Sequence, residues 1–172
     1  MKQIIKIKML EHTILAPKIV NDGDWIDLRA AKDIKLNAPY TIPARKNQDR
    51  KVIFNDTVIP LGIAMQLPKG YEAIVNPRSS SYKNFSIILG NGQGVIDNTY
   101  CGNDDQWFAH VIALKGTTIK KGDRICQFRI QLSQKATFIQ KLKWLFSSGI
   151  KIKFVSNLNN KNRGGHGHSG IN

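Results

Sequence analysis

The chain has 172 residues, a formal net charge of +14 and 41% hydrophobic residues. This length suits one domain that buries its own core, and the hydrophobic content excludes a chain that is disordered throughout. The positive charge favours polyanionic ligands, but the lysines are scattered, so we do not expect nucleic acid as the main ligand. No apolar run approaches the roughly 20 residues of a membrane-spanning helix. The two cysteines, Cys101 and Cys126, lack metal-ligand spacing and favour a reducing, cytoplasmic location.

Short apolar runs separated by turn residues predict a series of strands along the chain. The predicted strands are Ile4–Met9, Trp25–Leu28, Val58–Pro60, Ile63–Leu67, Tyr71–Val75, Phe85–Leu89, Trp107–Leu114, Arg124–Leu132 and Ile150–Val155. Many short strands at this spacing are typical of an all-β sandwich, jelly roll or barrel. The one predicted helix is Gln140–Ser147, and the polar, basic stretch Asn37–Asp56 favours a long loop.

A glycine-rich stretch, Gly90–Tyr100, follows the predicted strand that ends at Leu89. Gly92 and Gln93 predict a type II′ turn and therefore a hairpin. A hairpin with so few side chains near its tip would expose backbone groups that can read the edge of a flat ligand, and Asp97 beside it could act as a base. The alternative is a surface hairpin with a solvated aspartate.

Three shorter motifs carry groups that suit phosphate or charge chemistry. Arg78 is followed by Ser79 and Ser80, which together could hold phosphate oxygens; the alternative is a basic surface turn. Gln127 follows a turn and offers a neutral donor. Asp27 alternates with apolar neighbours in its predicted strand and should face away from them.

The C-terminal residues differ in composition from the rest of the chain, being rich in glycine and asparagine. We therefore predict a single β domain over residues 1–156 and a flexible C-terminal arm over residues 157–172. The arm contains Arg163 and the run Gly164 to Gly170, whose donors suit phosphate, so it could close over a polyphosphate as a lid. A zinc site at His166 and His168 is an alternative with little support, because two ligands on an arm do not complete a site.

Taken in order, these segments resemble the five motifs of the trimeric dUTP diphosphatases (dUTPases), in particular the branch from Gram-positive bacteria and their phages. The matching segments are Trp25–Leu28, Pro77–Ser80, Gly90–Tyr100, Gly122–Gln127 and the tail from Arg163 to Gly170. The resemblance implies an all-β, dUTPase-like jelly roll of the β-clip type. It also implies a homotrimer in which the arm is exchanged over a neighbouring active site.

The same resemblance implies the reaction and the residues that carry it. Asp97 would activate a water that attacks the α-phosphorus of dUTP, which gives dUMP and pyrophosphate. Mg²⁺ would be held mainly by the substrate phosphates, with Asp27 in the outer shell only. The implied substrate-binding residues are Arg78, Ser79, Ser80, Asn91, Gly94, Val95, Ile96, Tyr100, Gln127, Arg163, His166, Gly167, His168 and Ser169.

Some features depart from the family pattern and leave alternatives open. His166 stands where the family usually has a phenylalanine, and stretches near Arg45–Phe54 and Lys143–Ile152 look inserted. A protein of the same fold that binds a repressor or nucleic acid is one alternative, so a regulatory protein partner is possible. A dCTP deaminase-like enzyme is less favoured, because that family uses a glutamate after the second motif and this chain has none after Glu72.

Overall fold

The computed structural model describes residues 2–44 and 49–165, and this part of the chain is mostly β-strand. The strands are β1 (Gln3–Met9), β2 (Ile26–Arg29), β3 (Ile34–Leu36), β4 (Tyr40–Ile42), β5 (Lys51–Ile53), β6 (Asn55–Gln66), β7 (Tyr71–Pro77), β8 (Ile87–Leu89), β9 (Gly94–Asp97), β10 (Gln106–Ala113), β11 (Thr117–Ile119), β12 (Arg124–Leu132) and β13 (Ile150–Phe154). The helices are α1 (Ser81–Phe85) and α2 (Phe138–Leu145). None of the helices in the described ranges has the length and apolarity needed to cross a membrane.

Two larger sheets enclose the core, in the layered arrangement expected of a jelly roll. One has the strand order β13-β1-β6-β10-β8 and the other has the order β2-β12-β7-β9. Smaller sheets pair β3 with β11 and β4 with β5. The neighbouring strands of the larger sheets are antiparallel, except that β1 and β13 are parallel.

Side chains that point alternately inward and outward along the strands build the core between the two sheets. In β10 every second residue is buried, beginning with Trp107, and the ring of Phe128 from β12 meets Trp107 edge to face at 5.3 Å between centroids. Both side chains are at most 1% exposed. Burying a side chain of this size contributes about 1.5–3 kcal/mol, so this contact between the two sheets is a main source of their cohesion.

Most strand predictions are confirmed, and the differences have local causes. The predicted strands Val58–Pro60 and Ile63–Leu67 form one continuous strand, β6, in which Gly62 adopts a positive φ of 67°. The predicted loop over Asn37–Asp56 is partly wrong, because it contains β4, β5 and the start of β6. Strands β4 and β5 have three residues each and lie mostly exposed. Their sequences therefore lack the alternating apolar pattern from which a strand is predicted.

The helix predictions also need correction. Helix α2 begins two residues earlier than predicted, at a capping box in which Thr137 accepts from the Gln140 N–H and the Gln140 side chain accepts from the Thr137 N–H. The predicted strand over Phe85–Leu89 is wrong at its start, because Phe85 ends helix α1. Ser86 then takes a left-handed conformation and ends that helix.

Candidate active site

The glycine-rich segment between β8 and β9 connects the two large sheets. Strand β8 pairs with β10, whereas β9 pairs with β7. The hairpin prediction is therefore wrong, since the two strands flanking Gly92 and Gln93 do not pair with each other. The chain does turn here, with the Gly92 N–H donating to the Leu89 carbonyl at 3.0 Å and Gly92 at a φ of 66°. As a result β9 is the edge strand of its described sheet, and half of its backbone groups point away from β7.

A cavity of about 580 Å³ opens beside β9. Its volume lies within the range of small-molecule sites. Seven of the predicted site residues line it, namely Asn91, Gly94, Val95, Ile96, Asp97, Tyr100 and Arg163. Further walls come from β10, through residues 106–110, and from the C-terminal residues 163–165. The structure thus brings the predicted third motif together with Arg163.

Asp97 lies at the end of β9, and both of its carboxylate oxygens have partners. Oδ1 accepts hydrogen bonds from the backbone N–H of Thr99, at 2.7 Å, and from the Thr99 hydroxyl. Oδ2 accepts from Nη1 of Arg163 at 2.6 Å. The side chains of Asp97 and Arg163 are 46% and 48% exposed, so the carboxylate stays accessible to a ligand and to water.

The environment of Asp97 favours its charged form. Partial burial by itself would raise the pKa of the carboxyl, but the hydrogen bonds from Thr99 and the guanidinium of Arg163 outweigh this and lower the pKa below its ordinary value. An ionised carboxylate at the rim of a cavity has the protonation state that a general base requires near neutral pH.

Tyr100 closes one side of the cavity. Its hydroxyl donates to the backbone carbonyl of Gln106 at 2.8 Å, and its ring packs against the core. Burial, with a smaller effect from the charge of Asp105, raises the pKa of the phenol despite the nearby Arg163. A Cβ atom at Gly165 would lie 3.1 Å from the Tyr100 hydroxyl, so Gly165 allows the C-terminal segment to approach the tyrosine closely.

The second group of predicted site residues lies at the far end of β7. Asp27 on β2 accepts from Nε of Arg78 at 2.6 Å and from Nη1 of Arg124 at 2.9 Å. Arg78 also donates through Nη1 to the Ser80 hydroxyl at 3.1 Å. Gln127 lies opposite Asp27 in the sheet and donates to the Pro77 carbonyl at 3.3 Å. Ser79 is exposed at this end of the strand.

A buried serine supports the turn that carries Arg78. The Ser81 hydroxyl is fully buried, donates to the Ile125 carbonyl at 2.8 Å and accepts from the Arg78 N–H at 3.1 Å. The turn after β7 is thereby fixed to the first residues of β12. This arrangement explains why two motifs distant in sequence meet at one place.

The two groups of residues are separated along β7. Asp97 is opposite Glu72 near the start of β7, and Arg78 follows its last residue, Pro77. A strand rises about 3.3 Å per residue, so the six positions from Glu72 to Arg78 place the two groups about 20 Å apart. The Arg78 guanidinium is turned further away, because it is held by Asp27 across β12. Within one chain, therefore, the cavity at Asp97 does not contain the arginine cluster.

The remaining predicted residues are those of the C-terminal arm. His166, Gly167, His168 and Ser169 lie outside the described residues. Arg163 is described, and its guanidinium contacts Asp97. The division of the chain at residue 157 stays a prediction.

The acidic residues of the described structure do not form a metal cluster. Within residues 2–44 and 49–165 no group of three or more His, Cys, Asp or Glu side chains is placed to hold a metal ion. Asp27 already uses both carboxylate oxygens for two arginines. These contacts fit an outer-shell role for Asp27 and a Mg²⁺ ion held mainly by phosphates and water.

Several residues of the site go beyond those predicted from the sequence. Thr99 donates a hydrogen bond to Asp97, and Asp105 accepts one from the C-terminal segment. Arg124 donates to the carboxylate of Asp27, which also binds Arg78. For Thr99 a signal exists, because an aspartate commonly bonds the backbone two residues ahead in an Asx turn. For Asp105 no local signal exists, since nothing in the neighbouring sequence indicates that it is buried.

Comparisons with known proteins identify the family of this chain. The dUTPase family model matches residues 27–170. The SPbeta prophage-derived deoxyuridine 5′-triphosphate nucleotidohydrolase of Bacillus subtilis is 45% identical over 166 residues, which cover 96% of this chain and 97% of that relative. The deoxyuridine 5′-triphosphate nucleotidohydrolase of Helicobacter pylori (strain ATCC 700392 / 26695) is 29% identical over 137 residues, covering 79% of this chain and 83% of that relative. The chain belongs to the dUTPase family.

Solved structures show the same fold at low sequence identity. The dUTPase of Streptococcus mutans superposes with a TM-score of 0.59 at 17% identity, covering 77% of this chain and 98% of that structure. A point mutant of the dUTPase from Staphylococcus aureus phage phi11 also has a TM-score of 0.59, at 14% identity over 78% of this chain and 94% of that structure. The latter structure is described as coordinating a structural Mg(II) ion.

Proposed function

We propose that this protein is a dUTP diphosphatase, which hydrolyses dUTP to dUMP and pyrophosphate. The observation that carries the proposal is the position of Asp97, an accessible carboxylate at the rim of a cavity of small-molecule size in a dUTPase-family chain. The lowered pKa keeps Asp97 ionised at neutral pH. The carboxylate accepts a proton from a water as that water attacks the α-phosphorus, and the bond to the bridging oxygen of pyrophosphate breaks.

The edge strand β9 supplies the selectivity for uracil. Gly94, Val95 and Ile96 line the cavity, and the backbone groups of this strand that face away from β7 are free to read a base edge. Uracil offers acceptor, donor and acceptor along that edge, whereas cytosine offers a different order. A fixed backbone leaves polar groups unpaired against cytosine, which is a strong basis for rejection. Tyr100 packs against the sugar and leaves no room for a 2′-hydroxyl.

The phosphates bind at the other end of β7. Arg78, Ser79, Ser80 and Gln127 provide donors for phosphate oxygens. The triphosphate of one nucleotide is far shorter than the separation of about 20 Å between this cluster and Asp97. A complete site therefore needs Asp97 from one chain and the arginine cluster from another, which supports a homotrimer with sites between subunits.

The remaining parts of the proposal concern the metal ion, the arm and the location. Mg²⁺ would be held mainly by the substrate phosphates and would offset their charge, with Asp27 in the outer shell, where its carboxylate also holds Arg78. The arm residues His166 to Ser169 add contacts to the phosphates or the base as the arm closes. We place the protein in the cytoplasm, a location that its two free cysteines favour.

Release of pyrophosphate from dUTP, dCTP, dTTP and UTP in the presence of Mg²⁺ tests the proposal. We expect hydrolysis of dUTP alone, and Asp97→Asn to lower kcat by about 10²–10⁴, the contribution of a general base. Asp33→Asn is the matched control, because Asp33 does not line the cavity and accepts the Lys121 N–H. A folded wild-type protein that does not hydrolyse dUTP would refute the proposed activity.

A further inference from the structure

The C-terminal segment 157–165, here called the arm root, lies on a loop of its own chain. That loop, residues 101–105, is called the anchoring loop and lies between β9 and β10. The Leu158 side chain is 2% exposed, and its N–H donates to the Asn103 side chain at 2.9 Å. Asn162 makes hydrogen bonds in both directions with Asp104, at 2.6 and 3.0 Å. The arm root is thus held by specific polar contacts over much of its length.

Asp105 is the centre of this attachment. It is 1% exposed, yet its carboxylate accepts backbone N–H groups from Gly102 at 2.7 Å, from Arg163 at 3.0 Å on both oxygens and from Gly164 at 3.0 Å. A buried carboxylate is costly unless hydrogen bonds compensate its charge. Two of these three backbone groups belong to the arm root, so release of the arm root would leave the charge of Asp105 poorly satisfied.

The packing at Gly102 provides a second, independent sign of close fit. A Cβ atom at Gly102 would lie 2.3–2.6 Å from atoms of Asn162. Such a separation is not compatible with the present position of the arm root. The anchoring loop therefore binds the arm root through hydrogen bonds to Asp105, and Gly102 leaves the space that the arm root occupies.

We infer that Asp105 is a positioning residue, which anchors the arm root on its own chain and thereby places the Arg163 guanidinium on Asp97. The inference rests on the proposed function for the role of Asp97 as the base. It gives Arg163 a task beside phosphate binding, namely to orient the carboxylate and favour its charged form. Any exchange of the arm with a neighbouring site then begins after Gly165.

Several charged or titratable groups face Asp97, and the test has to separate their effects. They are Arg163 from the arm root, Glu72 from β7, His110 from β10, which lines the same cavity, and Tyr100, Cys101 and Asp105 from the segment after β9. Glu72 is held by Gln131 at 2.8 Å and makes no hydrogen bond to the described arm root. His110 Nε2 lies 3.0 Å from a carboxylate oxygen of Asp56, whereas Arg163 contacts Asp97 itself, so displacement of the arm root removes the positive charge that is paired with Asp97.

The first test measures the attachment without using activity. Hydrogen exchange at the amides of Leu158 to Gly164 is compared between wild type, Gly102→Ala, Asp105→Asn and the control Asp33→Asn. Both anchor variants should exchange at least about tenfold faster than wild type in this segment, and the control should not. Gly102→Ala keeps the carboxylate and Asp105→Asn keeps the space, so either folded variant is informative. Unchanged exchange in a folded anchor variant would overturn the inference.

The second test links the attachment to the base. Asp105→Asn and Gly102→Ala should each move the acid limb of the kcat profile to higher pH, in the same direction as Arg163→Ala. Combining Asp105→Asn with Arg163→Ala should add nothing to the shift of Arg163→Ala alone. If Asp97→Asn is inactive and both anchor variants keep the wild-type pH profile, the proposed function stands and the inference is refuted. An active Asp97→Asn would refute Asp97 as the base, and with it the catalytic part of the inference.

A third test asks which chain supplies Arg163. Asp97→Asn and Arg163→Ala chains with different affinity tags are co-expressed, and mixed trimers are purified through both tags. If Asp97 and Arg163 of one site belong to the same chain, no mixed trimer has a site with both residues intact. Its rate should not exceed that of the Arg163→Ala trimer. Recovery towards about one third of the wild-type rate would show that Arg163 acts on a neighbour and would overturn the inference.

Discussion

The separation of Asp97 from Arg78 along β7 makes a quantitative prediction about mixed trimers. Asp97→Asn removes the proposed base, and Arg78→Ala removes the guanidinium that is fixed by Asp27 and Ser80. Each variant alone should form an inactive trimer. Because the two residues lie about 20 Å apart in one chain, a working site has to take them from two neighbouring chains.

The expected activity follows from the geometry of a closed ring of three chains. In a ring with two chains of one variant and one of the other, three neighbouring pairs each form one site. One of these pairs combines an intact Asp97 with an intact Arg78, whichever variant is in excess. Mixed trimers should therefore recover about one third of the wild-type kcat, with an unchanged KM at the complete site.

The assay uses co-expressed, differently tagged chains, purification through both tags and measurement of pyrophosphate release from dUTP. The matched control replaces the Arg78→Ala chain by one that carries both Asp97→Asn and Arg78→Ala, because no neighbouring pair is then complete. Tagged wild-type chains should be active in the same preparation. If the mixed trimers are then as inactive as this control, Asp97 and Arg78 of one site do not come from two neighbouring chains.

Further predictions concern the base, an ion pair and the core. Thr99→Val removes the hydroxyl donor to Asp97, so the pKa of Asp97 should rise and the acid limb of the kcat profile should move to higher pH, as a pH–rate titration would show. Hydrogen bonds from the backbone and side chain of Thr13, and then Lys121, lower the pKa of Glu11 to about 2 from 4.5. Because this pKa is lower in the folded state, its stabilising effect is present above pH 4.5 and is lost as the pH falls through about 2. The Tm difference between wild type and Glu11→Gln should follow that course in thermal melts. Phe128→Ala should lower the free energy of unfolding by about 3–5 kcal/mol in urea titrations, because the ring is fully buried against Trp107.

The sequence predicts those parts of the fold that have a local apolar signature. Strand β12 has the bounds that its apolar run predicts, and β10 lies within one residue of its predicted start and end. The pairing of β9 has no such signature, because glycines at 90, 92 and 94 indicate a turn but not which strand lies beside it. Pairing is decided by contacts between residues far apart in the chain, and a local motif carries no information about them.

The candidate site shows the same division between local and distant information. The run Gly94 to Asp97, Tyr100 and the donors around Arg78 can be recognised from residue types and order. The anchoring contacts cannot, because the asparagines of the arm root have a composition typical of a loose tail. Their hydrogen bonds to Asp104 and to the Cys101 carbonyl depend on a loop more than 50 residues earlier.

The position of β9 at the edge of its sheet connects selectivity, catalysis and assembly. An edge strand has free backbone groups to read a base, and its last residue, Asp97, is then fixed at the start of β7 by pairing with Glu72. The turn after β7 carries the arginine, and Ser81 fixes that turn against the first residues of β12. Since β7 is paired with β12 along its whole length, no local movement can bring Asp97 to the arginine cluster of the same chain. In the proposed site, the strand that would read the base is therefore also the strand whose position makes Asp97 depend on the arginine cluster of a neighbouring copy.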